Sequence, residues 1–416
     1  MTARNDESDE SRRIARAVLP EGLRRETLAV RTALAPSQHG ENSEALFLTS
    51  AFVQPDAATM ARRFAESEDF TYSRTSNPTV RSFEARLAAM EGAEAAIATS
   101  SGMSAILMLG MGLLKAGDHV ICSRSVFGST INLFAKEFAK FGVRTSFVSQ
   151  TDLAEWRAAL DPATRLLFAE TPTNPLTDVC DIAALAELAH GAGALLAVDN
   201  TLCSPALQRP IEHGADIVVH AGTKYLDGQG RVMAGALAGP TKLIKDVFGP
   251  VMRTTGMVLS PFNAWVLLKG IETLDLRMRA QSANTLQVAQ WLEQQPRVSR
   301  VYYPGLASHA QHALAMRQQS ALGGALLSFD VRGASEAACA NAFHVIDSTR
   351  VLSIATNLGD TKSIITHPAT TSHGRLTEDQ RRAAGIGQGL VRLAVGLEHP
   401  LDVIDDLQRG LSTLNA

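Results

Sequence analysis

The sequence predicts an α/β fold, in which a large domain with a mostly parallel sheet is followed by a smaller C-terminal α+β domain. Two observations predict it. Short apolar runs rich in strand formers alternate with helical patterns between residues 93 and 222, which is typical of βαβ units around a buried parallel sheet. After residue 260, a long helical pattern precedes strand-like runs in a different order, which indicates a second domain. The length of 416 residues is ample for two or three domains.

The chain begins with a polar segment that fits neither domain. Residues 1–26 carry 12 charged side chains and no aromatic one, which predicts a solvated tail. Residues 46–79 are irregular and rich in turn formers, which predicts an arm. We therefore predict a tail and intersubunit arm at 1–75, a large domain at 76–270 and a C-terminal domain at 271–416.

Five apolar runs of strand length predict the sheet of the large domain. They are found at 93–100, 118–123, 164–170, 194–200 and 216–222. The helical patterns between them are found at 104–115, 131–141 and 181–193. The second domain is predicted from a helical pattern at 260–295, strand-like runs at 298–305, 323–333 and 390–398, and a final helix at 402–415.

Composition and charge exclude several classes of function. The net charge of −3 and the 5% content of aromatic residues give neither the basic field nor the stacking surface of a nucleic-acid-binding protein. The four cysteines lie far apart without a CxxC pair, so neither a disulfide framework nor a zinc site is expected. The acidic N-terminus lacks the apolar core of a signal peptide, and polar residues interrupt the uncharged run at 95–114. A cytoplasmic protein without a membrane partner is therefore expected.

Three predicted strand ends can carry chemistry, because open α/β sheets bind ligands at the carboxyl ends of their strands. The turn SSGMS precedes a helix, so the backbone N–H groups of Gly102 and Met103 can bind a phosphate, although Ser-Gly turns open many helices. Asp199 ends the run ALLAVDN, where capping a turn is the alternative role. Lys224 follows a strand in apolar surroundings, and lysines avoid burial unless they have a chemical role.

Together these features predict a pyridoxal 5′-phosphate (PLP) enzyme. A desolvated lysine of lowered pKa forms Schiff bases with aldehydes, and an aspartate that holds the proton of a pyridine nitrogen makes the ring an electron sink. Rival sites are weaker. His367 and His373 have no third ligand nearby, so no metal is expected, and the absence of a GxSxG motif argues against a serine hydrolase.

The chain resembles the Cys/Met-metabolism family of PLP enzymes in an ordered series of motifs across residues 27–400. The motifs are YSRTSNPT, SSGMSA, ETPTNP, AVDNT, HAGTKYLDGQGR, SPFNAW and LVRLAVGLE. The family comprises cystathionine γ-synthase, the cystathionine lyases, methionine γ-lyase and the homoserine-ester sulfhydrylases. The resemblance implies an aminotransferase-like fold of type I, PLP as cofactor, and a homotetramer whose active sites are shared across a dimer interface.

The resemblance also implies a role for each site residue. Lys224 would be catalytic, since it holds the cofactor covalently and later carries protons. Arg392 and Ser363 would bind the substrate carboxylate, Arg392 with two parallel N–H groups. The other residues would bind the cofactor: Asp199 at the pyridine nitrogen, Asn174 at the phenolic oxygen, Phe127 over the ring, Gly102, Met103 and Thr223 at the phosphate, and Tyr72 and Arg74 at the phosphate of the neighbouring subunit.

Three positions depart from the family pattern. Phe127 stands where most members have a tyrosine over the ring, so this position supplies no phenol for proton transfer. Lys362 precedes Ser363, where the lyases usually have an acidic residue. Ala221 stands where the family commonly has a phosphate-binding serine, and the loss of one hydrogen bond would cost about 0.5–1.5 kcal/mol of cofactor binding.

Four segments together resemble the O-succinylhomoserine sulfhydrylase group of the family: SVFGST, DGQGR, GDTKS and THPATTSHGRL. This resemblance implies a γ-replacement in methionine biosynthesis, in which O-succinyl-L-homoserine and sulfide give L-homocysteine and succinate. Arg375 and Lys362 are candidates for binding the succinyl end, with a simple surface charge as the alternative. Cystathionine γ-synthase, O-acetylhomoserine sulfhydrylase and a γ-lyase remain alternatives on the same scaffold, and a non-catalytic binding protein is the alternative from another class.

Overall fold

The structure, a computed structural model, describes residues 19–34, 39–66, 70–334, 336–374 and 377–414. Residues 1–18 of the predicted tail lie outside the described residues. Among the helices described, none combines the length and the apolar character that crossing a bilayer requires. The described chain forms two sheets, each packed against helices.

Within the described ranges, seven strands form the first sheet and five form the second. The first sheet contains β1 (Ala95–Thr99), β2 (His119–Ser123), β3 (Arg144–Val148), β4 (Thr164–Glu170), β5 (Leu195–Asp199), β6 (Ile217–His220) and β7 (Gly235–Gly239). The second contains β8 (Val298–Tyr302), β9 (Leu326–Val331), β10 (Ser353–Ile354), β11 (Ile364–Thr366) and β12 (Leu390–Ala394). The spatial orders are β1-β7-β6-β5-β4-β2-β3 and β10-β11-β12-β9-β8.

The described helices are distributed between the arm and the two sheets. They are α1 (Arg25–Arg31), α2 (Ala57–Glu66), α3 (Pro78–Glu91), α4 (Gly102–Leu113), α5 (Gly128–Asn132), α6 (Leu153–Ala158), α7 (Ile182–Gly191), α8 (Ser204–Leu207), α9 (Gly249–Thr255), α10 (Pro261–Ile271), α11 (Leu274–Glu293), α12 (His312–Gln318), α13 (Glu336–Asp347), α14 (Glu378–Ala383) and α15 (Pro400–Ser412). Segments of π-helix are found at Leu133–Glu137 and Leu243–Phe248, and 3₁₀ turns at Phe138–Phe141, Pro210–His213 and Pro368–Thr370.

The strands of the first sheet run parallel except β7, which pairs antiparallel with both β1 and β6. β1 therefore runs in the same direction as β4, β5 and β6, and the carboxyl ends of these strands meet at one edge of the sheet. This is the edge at which open α/β sheets bind their ligands. The predicted mostly parallel sheet of the large domain is confirmed.

Two strands of the first sheet, β3 and β7, were not predicted from the sequence. β7 has the sequence GALAG, which contains no β-branched or aromatic residue, although all of it is buried. Gly235 in this strand has no room for a side chain, because a Cβ atom would lie 2.1 Å from the carbonyl oxygen of Ser101. This close approach packs β7 against the turn that opens α4.

The helical pattern at 260–295 forms two helices, α10 and α11, which are separated at residues 272–273. α10 lies close to the first sheet's loops, because a Cβ atom on Gly270 would lie 2.2 Å from the carbonyl oxygen of Leu226. α11 instead packs on the second sheet, in a core that includes Leu292, Phe329 and Leu407. The segment predicted as one helix therefore forms two helices, of which α10 packs near the first sheet and α11 packs on the second.

A continuous hydrophobic cluster joins the two sheets. It extends from Phe83 on α3 through Leu274 on α11 to Ala394 on β12. The predicted boundary between residues 270 and 271 falls close to the break between α10 and α11, and it stays a prediction because the core does not divide there. The shared core holds the edge of the first sheet against the loops of the second.

Candidate active site

The carboxyl ends of β4, β5 and β6 bring a lysine and two acids together. Asp199 ends β5, and its register partner is Glu170, the last residue of β4. Lys224 follows in the turn after β6. The hydroxyl of Thr201 accepts a hydrogen bond from the N–H of Ala221 at 2.8 Å, which ties the end of β5 to the turn that carries Lys224.

Lys224 is largely buried. Its amino group donates a hydrogen bond to Oδ1 of Asn357 at 2.6 Å. Burial and the nearby positive charge of Arg392 lower the pKa of Lys224 from 10.5 to about 8. A lysine with this pKa has an appreciable unprotonated fraction near neutral pH, which a nucleophilic amine or a proton acceptor requires.

The loop that carries Asn357 lies directly against the backbone of Lys224. Gly359 in this loop has a φ of +80°, and a Cβ atom there would lie 2.8 Å from the carbonyl carbon of Lys224. Glycine is therefore needed for two reasons, the left-handed backbone and the lack of space. Through this loop the second sheet supplies one wall of the site.

Asp199 is buried beside this lysine turn. One of its carboxylate oxygens accepts a hydrogen bond from the N–H of Thr201 at 3.0 Å. Burial raises the pKa of Asp199, whereas the hydrogen bonds from Thr201 and the nearby His220 lower it. A carboxylate that has lost most of its water is suited to pair with a protonated ring nitrogen, because the ion pair compensates for the lost solvation.

The first turn of α4 faces the turn after β6. Ser101 caps the helix by accepting a hydrogen bond from the N–H of Ser104 at 3.1 Å. The N–H groups of Gly102 and Met103 lie in the first turn, where an α-helix offers them no partner, so they are available to an anion. A Cβ atom on Gly102 would lie 2.7 Å from the Cβ of Ala221, which shows how closely the two turns approach.

Arg392 lies on β12, the central strand of the second sheet, with 1% of its surface exposed. One terminal nitrogen donates to Oδ1 of Asn174 at 3.2 Å, and the other donates to the carbonyl oxygens of Thr356 and Asn357 at 3.1 and 3.0 Å. These acceptors are neutral, and burial lowers the pKa of Arg392 to about 10. A buried guanidinium held by neutral acceptors is suited to bind a carboxylate.

Phe127 and Thr223 lie in turns at the same edge of the first sheet. Phe127 precedes α5 and has 39% of its surface exposed. Its N–H donates to a carboxyl oxygen of Glu170 at 2.8 Å. The hydroxyl of Thr223 accepts from the N–H of Ala234 at 3.1 Å and donates to its carbonyl oxygen at 3.3 Å. The Phe127 ring is free to cover a ligand, whereas Thr223 has to share its hydroxyl with the backbone.

Tyr72 and Arg74 lie in the arm and are both exposed. Tyr72 forms an antiparallel bridge with Ala51. The guanidinium of Arg74 lies 5.5 Å from the centre of the Tyr72 ring and donates to the carbonyl oxygen of Arg253. Their exposure is compatible with a role in the site of a neighbouring subunit, which stays a prediction.

Ser363 is fully buried, and its hydroxyl is engaged by neighbours. It donates to the carboxylate of Glu398 at 2.8 Å and accepts from a backbone N–H at 2.8 Å. To bind the substrate carboxylate as predicted, the Ser363 hydroxyl would have to break its hydrogen bond to Glu398. This role stays a prediction. Lys362 is exposed and paired with Asp360 at 2.8 Å, and Arg375 lies outside the described residues.

Sequence reasoning missed two residues of this site, Asn357 and Glu170. Glu170 had a usable signal, because it ends a buried strand in the same way as Asp199 and opens the motif ETPTNP. Asn357 had none, because it reaches Lys224 from a loop more than 100 residues away in the sequence.

Comparisons with known proteins show the family to which the chain belongs. The family model described as Cys/Met metabolism PLP-dependent enzyme matches residues 26–412. The chain is 57% identical over 395 residues to an O-succinylhomoserine sulfhydrylase of Pseudomonas aeruginosa, and the match covers 95% of this chain and 96% of that protein. It is 44% identical over 406 residues to an O-succinylhomoserine sulfhydrylase of Mycobacterium tuberculosis, covering 97% of this chain and 100% of the relative.

A solved structure shares the fold. It is described as an O-acetylhomoserine (thiol)-lyase of Campylobacter jejuni and contains N′-pyridoxyl-lysine-5′-monophosphate. The TM-score is 0.89 at 31% identity, and the match covers 94% of this chain and 100% of that one. The predicted family resemblance, fold class, enzyme class and cofactor are confirmed. The chain belongs to the family of Cys/Met metabolism PLP-dependent enzymes.

Proposed function

We propose that the protein catalyses a γ-replacement that converts O-succinyl-L-homoserine and sulfide into L-homocysteine and succinate, a step of methionine biosynthesis. The observation that carries the proposal is the Lys224 amino group, which has a lowered pKa and lies near the buried Arg392. An amino-acid substrate of a PLP enzyme requires such an amine beside a carboxylate site. The identity to two relatives named O-succinylhomoserine sulfhydrylase supports the choice of substrate.

The residues at the sheet edge fit PLP, because they combine a lysine of lowered pKa, a buried acid and a helix N-terminus. Lys224 would hold the cofactor covalently. The other contacts would come from Asp199 at the pyridine nitrogen, Asn174 at the phenolic oxygen, Phe127 over the ring, and Gly102, Met103 and Thr223 at the phosphate. When bound, PLP withdraws electrons from the substrate, which makes the protons at its Cα and Cβ removable.

Arg392 would bind the α-carboxylate of the substrate with its terminal nitrogens. Its present acceptors hold the guanidinium plane in place without neutralising the charge. The carboxylate therefore forms an ion pair without displacing another acid. Arg392 and Lys224 both donate hydrogen bonds to Asn357, at its carbonyl oxygen and at Oδ1, so a substrate held by Arg392 would have its α-carbon near the lysine.

Lys224 would carry the protons of the reaction. Its pKa of about 8 allows Nζ to accept a proton and return it near neutral pH. Oδ1 of Asn357 accepts a hydrogen bond from this amino group and so directs it. Phe127 has no ionisable group, which leaves the proton transfers to the lysine or to water.

The succinyl carboxylate needs a positive partner, for which Arg375 and Lys362 are the candidates. Lys362 is already paired with Asp360. Because the Lys362 side chain is exposed, this pairing is easily exchanged for a ligand, so both residues stay candidates for recognition of the succinyl end.

We further propose that the protein works as a cytoplasmic homotetramer in which Tyr72 and Arg74 reach the phosphate of a neighbouring subunit. The arm supports this proposal because it exposes apolar side chains that a second copy of the chain would cover. Val53 is 98% exposed and Leu48 is 67% exposed.

The test is product formation from O-succinylhomoserine in three parallel reactions, with sulfide, with cysteine and without a thiol. The proposal predicts homocysteine as the main product with sulfide. Cystathionine as the main product with cysteine would instead identify a cystathionine γ-synthase, and 2-oxobutyrate without a thiol would identify a γ-lyase. A matched series with O-acetylhomoserine measures the preference for the acyl group.

A further inference from the structure

We propose that Glu170 is a positioning residue for the cofactor ring: its buried carboxyl group joins the loop of Phe127 to the strand end that carries Asp199. The inference rests on the proposed function, because Phe127 and Asp199 are proposed there to contact the ring. Glu170 itself is not proposed to touch the cofactor or the substrate.

The position of Glu170 is fixed by the first sheet. It is the last residue of β4 and lies in register with Asp199 on β5. Its carbonyl oxygen accepts a hydrogen bond from the side chain of Gln150 at 2.8 Å, and the N–H of the next residue, Thr171, donates to the carbonyl oxygen of Asp199 at 3.3 Å. These contacts fix the backbone from which the carboxyl group of Glu170 extends.

The carboxyl group of Glu170 holds two loops at once. One of its oxygens accepts a hydrogen bond from the N–H of Phe127 at 2.8 Å, and the backbone N–H of Asn174 lies close enough to this carboxyl group to lower its pKa. Phe127 lies after β2, and Asn174 lies after β4. Two residues proposed to contact the ring from different sides thus depend on a single buried acceptor.

The charge distribution supports this positioning role. Glu170 and Asp199 are neighbouring buried carboxyl groups, and their burial and mutual repulsion raise the pKa of Glu170 well above its usual range. His220 near Asp199 and the buried thiol of Cys122 near Glu170 are further titratable groups beside the pair. The pKa of Glu170 is raised further than that of Asp199, which favours Asp199 as the carrier of the negative charge that a protonated ring nitrogen would need. In either protonation state, a carboxyl oxygen of Glu170 can accept the N–H of Phe127.

The experiment compares Glu170→Met, which keeps the volume but removes the acceptor, with Glu170→Gln, which keeps a neutral acceptor. The readouts are the dissociation constant of PLP and the induced circular dichroism of the bound cofactor. Asp406→Leu is the matched control, because Asp406 is also a buried carboxyl group that accepts backbone N–H groups, from Arg350, Val351 and Leu352.

We expect Glu170→Met to weaken PLP binding about tenfold or more and to change the circular dichroism band, since the loops of Phe127 and Asn174 lose the carboxyl group that faces their backbone N–H groups. Glu170→Gln should stay within about threefold of the wild type because it preserves both contacts. Asp406→Leu should lower the melting temperature without a change in the cofactor band.

An unchanged PLP dissociation constant and an unchanged band in Glu170→Met would overturn the positioning role. An equal change in Asp406→Leu would also overturn it, because the effect would then be general destabilisation. If Glu170→Met does not fold, Glu170→Asp, which withdraws the acceptor by one methylene, makes the same comparison with Glu170→Gln. Failure of the proposed function is distinguishable, because it would appear in the wild type as a lack of homocysteine despite normal PLP binding.

Discussion

Two residues of the site carry buried positive charges and donate their hydrogen bonds to neutral oxygens. Lys224 and Arg392 are buried near each other, and burial lowers the pKa of both. The hydrogen-bond acceptors of these two groups are neutral oxygens of Asn357, Asn174 and Thr356. A ligand with negative groups, such as an amino acid with its carboxylate, would therefore compensate the two buried positive charges.

This cost gives a pH dependence of stability in the cofactor-free protein. The folded pKa of Lys224, about 8, lies below its ordinary value of 10.5, so at low pH the folded state holds a buried charged lysine. Between these two values the unfolded chain binds the proton and the folded chain does not, so stability increases as the pH rises. Between these two pKa values the free energy of unfolding increases by about 2–3 kcal/mol.

Denaturant unfolding of the wild type and of Lys224→Met from pH 7 to 10 measures this effect, because other titrating groups cancel in the difference. The wild type should gain stability relative to the variant across this range. A difference in unfolding free energy that does not vary with pH would show that Lys224 keeps an ordinary pKa.

Arg392 makes a second prediction at the same scale. In Arg392→Lys, the single ammonium cannot offer two parallel N–H groups to a carboxylate, so KM for the amino-acid substrate should increase about 10- to 100-fold with a smaller change in kcat. Steady-state kinetics check this, with the surface variant Arg332→Lys as the control. A normal KM in Arg392→Lys would remove Arg392 from carboxylate binding.

At the scale of elements, turns and loops bring the site together more than the strands do. The turn after β6, the first turn of α4 and the loop around Gly359 approach so closely that side chains are excluded at several positions. A Cβ atom would lie 2.7 Å from Ala221 at Gly102 and 2.8 Å from Lys224 at Gly359. These contacts bring the backbone of the second sheet's loop against the backbone of Lys224.

The loop contact predicts a difference between two glycine substitutions. Gly359 and Gly324 have nearly the same backbone, with φ of +80° and +81°, but a Cβ atom on Gly324 would meet nothing within 4 Å. Gly324→Ala should therefore lose only about 1–2 kcal/mol through backbone strain. Gly359→Ala should lose more and should also weaken cofactor binding, because the loop has to move away from Lys224.

Unfolding free energies and PLP dissociation constants of the two variants check this prediction. Equal stability losses with unchanged PLP binding in both variants would show that the loop does not position the lysine.

Some of these elements and residues could be predicted from the sequence, and others could not. Strands with apolar and β-branched residues were predictable, and β4 was predicted with its observed ends, because buried strands carry a compositional signal. β7 was not, because Gly and Ala were selected there for close packing rather than for strand propensity. The residues at strand ends, Asp199 and Lys224, follow from the topology of an α/β sheet, whereas Asn357 and the engaged hydroxyl of Ser363 depend on tertiary contacts that no local pattern records.

At the scale of the whole molecule, the site lies where two sheets share one hydrophobic core. The first sheet supplies Asp199 and Lys224 from its strand ends, and the second supplies Arg392 from its central strand. The arm adds a surface with exposed apolar side chains. Assembly from two copies of the chain would then complete each site through Tyr72 and Arg74.

Subunit mixing tests the shared site. Tyr72→Ala and Lys224→Ala subunits are each expected to have low activity, but a mixed dimer contains one site with both residues intact. Random equal mixing should therefore restore about a quarter of the wild-type activity. No gain above the sum of the separate variants would contradict a site shared between subunits.

The central claim is that Lys224 holds the cofactor and carries the protons of the γ-replacement. The measurement that tests it most directly records the visible absorbance with PLP and the homocysteine formed from O-succinylhomoserine and sulfide, in the wild type, Lys224→Ala and the surface control Lys140→Ala. We predict the absorbance band and the product in the wild type and in Lys140→Ala, and neither in Lys224→Ala. Retained turnover in Lys224→Ala would contradict the account.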